Sequence, residues 1–60
     1  MKFISRTSQF HKMIYTYQVE GNENYEEQVN IQKQKVNDSY FGGYVTRGTD
    51  NRIITTYYTD

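Results

Sequence analysis

The stretch Tyr25–Val36, YEEQVNIQKQKV, decides the fold of this 60-residue chain, because it can be read two ways. At a two-residue period, Gln28, Asn30, Gln32 and Gln34 alternate with Val29, Ile31, Lys33 and Lys35, as on a half-buried strand. At the helical period, Asn24 caps the start and Glu27 stands at the capping-box position. Lys33 and Lys35 then suit the C-terminal end of the helix dipole. Tyr25, Val29 and Val36 would share one helical face, but Ile31 points away from it. Three apolar anchors over three turns make a thin stripe. The strand is therefore the preferred expectation, and a helix at about 25–37 packed on a three-stranded sheet is its alternative.

The composition leans the same way. The chain has no Ala, Leu or Pro, and it carries seven Tyr, seven Thr, five Ile and four Val. Ala and Leu are the strongest helix formers, whereas β-branched and aromatic residues suit a pleated surface. On both sides of the deciding stretch lie strand signals separated by turn residues. Residues 13–19, MIYTYQV, alternate cleanly and end at the turn Gly21-Asn22-Glu23-Asn24. Residues 40–47, YFGGYVTR, follow Asn37-Asp38-Ser39. The last strand, RIITTYYTD from Arg52, follows Gly48-Thr49-Asp50-Asn51. The expected fold class is all-β: a small antiparallel four-stranded meander or SH3-like open barrel. Residues 1–60 form one domain, with 1–12 as an N-terminal arm and 13–59 as the sheet.

The hairpin loops suggest a register in which Val45 faces Ile54 and Tyr57 faces Gly42. One face then gathers Tyr15, Tyr17, Val29, Ile31, Phe41, Val45, Ile54 and Tyr58. The other gathers Ile14, Val36, Tyr40, Tyr44, Ile53 and Tyr57, which is more apolar than an exposed sheet face tolerates. The arm, through Phe3, Ile4 and Phe10, covers one side.

A chain this short buries only about 60% of its unfolded surface and has marginal stability. Disulfides and thiolate metal sites are excluded, since there is no cysteine, and a single histidine argues against structural zinc. Self-association is the remaining aid, so a homo-oligomer is expected. Seven basic residues balance seven acidic ones, which argues against a nucleic-acid partner. No apolar run approaches the roughly 20 residues that span a bilayer. The opening residues lack the apolar stretch of a signal peptide, so a cytoplasmic location is expected. The bias toward Asn, Tyr, Ile and Lys suggests a phage or mobile-element gene of low GC content.

No catalytic constellation emerges. His11 is the only side chain that ordinarily titrates near neutrality, and it lies between Phe10 and Lys12. Arg47 and Arg52 flank the last turn, where they converge on an anion or stand solvated at the hairpin mouth. Glu26 and Glu27 are adjacent and do not form a carboxylate pair. No cofactor or metal is expected. Tyrosine offers large rigid contact area at low entropic cost, which makes Tyr40, Tyr44, Ile53 and Tyr57 the candidate interaction face. The leading expectation is a non-enzymatic protein that binds and blocks a host protein through that face.

Two other classes remain open. The ending VTRGTDNRIITTYYT resembles the closing hairpin of microbial ribonuclease-type toxins, in which Arg, Thr and Tyr project from terminal strands. That resemblance implies catalysis by Arg52, Thr55 and Tyr57, with His11 as base. A small barrel whose tyrosines stack on nucleic-acid bases is the third possibility.

Overall fold

The computed structural model describes all 60 residues, Met1–Asp60. It contains strands β1 (Lys2–Gln9) and β2 (Lys12–Gln18), helix α1 (Tyr25–Asn37), and strands β3 (Gly43–Arg47) and β4 (Arg52–Tyr58). The strands form one antiparallel sheet in the order β1-β2-β4-β3, with α1 packed on it. This α+β architecture replaces the expected all-β meander or open barrel. The correction turns on the deciding stretch, which is helix.

Local chemistry explains why the helix wins. Asn24 has extended backbone geometry, and its Oδ1 accepts from the Glu27 N–H at 2.9 Å, capping the helix. Glu26 and Glu27 occupy the first turn and Lys35 the last, each favourable to the helix dipole. The thin apolar stripe is completed by a polar residue. Val29, Gln32 and Val36 are the three buried positions of the helix, and Gln32 fills the gap between the two valines. Its amide oxygen accepts from the Thr55 hydroxyl, so burial leaves that oxygen satisfied.

The expected N-terminal arm is a second correction. Residues 2–9 form an edge strand paired along β2, rather than a flap over one face. Phe10 and His11 make the tight connection, with His11 in the left-handed region at φ 62°. The ladder slips by one residue between Phe3 and Ser5, which leaves Ile4 as a bulge. Beyond it, Phe3 and Arg6 both lie on the face that bears Tyr17 and Tyr15.

The β3–β4 register also differs from the expected one. Val45 pairs with Thr55, and Tyr57 pairs with Gly43. The connection is a turn closed by the Arg52 N–H on the Thr49 carbonyl, with Asp50 and Asn51 both left-handed. That is the geometry of a type I′ turn. Gly48 donates to the Arg52 carbonyl as well, so one residue is inserted and the register moves by one. Val45 therefore shares a face with Ile53, Thr55 and Tyr57.

Strands β2 and β3 run parallel, joined through α1, and β4 fills the place between them. The helix is about 20 Å long and packs on β3 and β4 alone; none of its Cα atoms comes within 8 Å of β1 or β2. The core sits beneath it: Val19, Val29 and Ile53, joined by Met1, Tyr25 and Val45. The molecule is accordingly elongated, 35 × 20 × 15 Å, with the β1–β2 hairpin projecting past the helix.

Candidate interaction surface

Three cross-strand rows build the helix-side face. They read Phe3–Tyr17–Ile53–Arg47, Arg6–Tyr15–Thr55–Val45 and Ser8–Met13–Tyr57–Gly43. The helix covers the Ile53 and Thr55 end of these rows. The remainder is an open half-face of Phe3, Arg6, Met13, Tyr15, Tyr17 and Tyr57. Glu26 and Lys33 turn toward β3, Glu26 through a bidentate pair with Arg47 and Lys33 beside Val45. The 100° step of the helix then sets Gln28, Ile31 and Lys35 on the flank that borders the open half.

The rings on this half-face are mutually packed. Tyr15 and Tyr17 lie nearly parallel, 8° apart in plane, with centroids separated by 6.3 Å. Tyr57 meets Tyr15 edge-on at 5.5 Å, and Phe3 meets Tyr17 edge-on at 6.0 Å. Contacts of this kind fix ring orientation before any ligand arrives. Phe3 remains 55% exposed. Burial, and then the neighbouring tyrosines, raise the phenol pKa values of Tyr17 and Tyr57. Both hydroxyls are therefore neutral through the physiological range.

The four residues singled out from the sequence do not share one surface. Ile53 is fully buried under α1, and Tyr57 joins the open half-face. Tyr44 lies on the opposite side of the sheet, 6.0 Å from Tyr58, with the Lys12 ammonium over both rings. Tyr40 stands in the connection after α1, 92% exposed and edge-on to Phe41. Sequence reasoning missed Phe3, Tyr15 and Tyr17 as site residues. The alternation in MIYTYQV was the available signal, but only the pairing of β1 shows which side Phe3 joins.

The residues implied by the toxin resemblance do not converge. Thr55 is buried in its hydrogen bond to Gln32. Arg52 projects on the opposite face from Tyr57, and its Nε donates to Gln18 at 3.2 Å. His11 lies in the β1–β2 turn, paired with Asp60. Arg47 and Arg52 also lie on opposite faces, so they form no anion clamp. Arg47 instead holds the Glu26 carboxyl below its usual range by hydrogen bonding.

A cleft of about 350 Å³ opens between α1 and β3, lined by Lys33, Val36, Asn37 and Gly42–Val45. It brings together no acid–base or nucleophile–base pair. No helix is long and apolar enough to cross a membrane. Compared with protein-family models, curated proteins and solved structures, the chain matches none.

Proposed function

We propose that this chain is a non-enzymatic binding module that captures a protein partner on the open half-face and blocks the surface it occupies. One observation carries the reading: α1 packs only on β3 and β4, leaving Phe3 exposed beside the half-buried, mutually packed rings of Tyr15, Tyr17 and Tyr57. Rigid aromatic clusters with neutral hydroxyls suit protein interfaces, where tyrosine is enriched. A cytoplasmic setting is part of the proposal, since the cysteine-free chain has none of the disulfides on which small secreted domains rely.

Photo-crosslinking tests it. A benzoylphenylalanine at position 3 is compared with one at Thr46, an exposed position on the opposite face. In lysate of the source cells, position 3 should yield an adduct of one defined mass that disappears with Tyr17→Ser. An adduct of twice the chain mass would make the partner a second copy. Absence of any adduct, or equal adducts from both positions, would remove the reading.

A further inference from the structure

We infer that the partner presents an acidic, extended segment, which joins the free edge of β1 as a fifth strand beside the open half-face. The inference rests on the binding role proposed above and names the chemistry of the occupant.

The first observation is the edge itself. All eight residues of β1 are exposed, and the strand packs against β2 alone. Alternate backbone N–H and C=O groups along it point away from β2, as on any edge strand. The bulge at Ile4 bends the strand, so Ser5–Gln9 is the straight stretch available for pairing.

The second is charge. Lys2, Arg6 and Lys12 lie in the first nineteen residues, which contain no Asp or Glu, while all seven acidic residues lie from Glu20 onward. Overall neutrality thus conceals a uniformly basic hairpin. Arg6 lies on the same face as Phe3 and Tyr15, whereas Lys2 and Lys12 lie on the other face.

The third is size. Two strands about seven residues long give a flat footprint of roughly 23 × 10 Å. That falls well below the ~800 Å² per partner of a stable interface. The adjoining edge supplies the missing contact through main-chain hydrogen bonds, with the aromatic face selecting side chains.

These observations discriminate among occupants. A second copy pairing β1 with β1 would bring together two hairpins whose own residues include three cations and no carboxylate, the nearest carboxylates being Asp60 at the His11 turn and Glu23 at the N-terminal amine. Single-stranded nucleic acid would stack on the rings, but it has no amide ladder to offer the edge.

The probe is a fluorescein-labelled peptide, Thr-Glu-Thr-Val-Thr-Glu-Thr, whose Glu and Val side chains share one face of an extended strand, titrated onto the full chain by anisotropy and by amide NMR. Expected are saturable binding and slowed hydrogen exchange at Ser5–Gln9. Arg6→Glu should weaken binding about 10-fold or more, and the same peptide with Lys in place of Glu should restore it on that variant. Lys2→Glu, which reverses a charge on the opposite face and beyond the bulge, should weaken binding less than Arg6→Glu, with the amide spectrum reporting that each variant is folded. The inference is overturned by absence of binding at about 1 mM peptide. It is equally overturned by shifts that map away from β1, by tighter binding of a thymidine decamer, or by dimerisation through β1. Failure here alongside a position-3 adduct that is not a self-dimer leaves the binding-face proposal standing. Unchanged peptide affinity in Tyr15→Ser and Tyr17→Ser would instead remove the aromatic face and leave strand addition.

Discussion

The Thr55 hydroxyl donates to the Gln32 amide oxygen across 3.1 Å, and both residues are almost wholly removed from solvent. This side-chain hydrogen bond joins the middle of α1 to the central strand β4. Thr55→Val should therefore cost about 1–3 kcal/mol, because it deprives a buried amide oxygen of its donor. Combining it with Gln32→Leu should recover much of the loss, since both polar partners are then removed together. Urea unfolding of the two singles and the double gives the coupling directly.

Asn24 is the helix's N-terminal stop. Replacing it with Ala should cost about 1 kcal/mol, whereas Ser or Asp should be nearly neutral. Thermal melts followed by circular dichroism measure the difference. Loss of helicity in Asn24→Ala without loss of the sheet signal would show α1 fraying separately from the strands.

Gly43 faces Tyr57 across the β3–β4 ladder. A Cβ there would lie 1.9 Å from the Thr56 carbonyl oxygen, a backbone atom of the central strand. Gly43→Ala must separate the strands and should leave this marginal domain unfolded or severely destabilised. At Gly21 an added Cβ meets nothing within 4 Å. Gly21→Ala should be neutral or stabilising by up to about 1 kcal/mol.

Alkaline stability follows from the raised pKa values of Tyr17 and Tyr57. Their phenols ionise above the ordinary 10.0 in the folded chain. The unfolded chain ionises first, so their contribution is complete below pH 10.0 and is lost as pH rises through the folded values. Ultraviolet titration at about 295 nm should show two late tyrosines, and Tyr17→Phe or Tyr57→Phe should each remove one. A ligand covering the open half-face should delay both further.

Much of this fold is legible in local residue patterns. MIYTYQV, the turn at Gly48–Asn51 and the alternation beyond Arg52 locate β2, the last hairpin and β4. The helix signals, Asn24 and the charged ends, are present as well. They lose to a count of apolar anchors because a count does not include a glutamine. Gln32 qualifies as a core residue only because Thr55 meets it across the fold, and no local pattern expresses that.

Register is hidden for a similar reason. A one-residue insertion at Gly48 exchanges Ile54 for Thr55 beside Val45, and it redistributes every side chain of β4 between the faces. The candidate site inherits the error: Tyr44 and Tyr57 part company, and Ile53 goes under the helix. The basic character of the first hairpin is plain in the sequence once β1 is seen as a strand rather than an arm.

The strand order has a kinetic meaning. Because β4 stands between β2 and β3, the two sides of the sheet share no ladder until it is seated. Met13 and Tyr57, about forty residues apart, must meet for that to happen. Closing so long a loop precedes the reward of pairing, so joining the local β1–β2 and β3–β4 hairpins into one sheet is expected to be the slow step of assembly. The run beginning at Arg52 is thus the step on which cooperative folding depends.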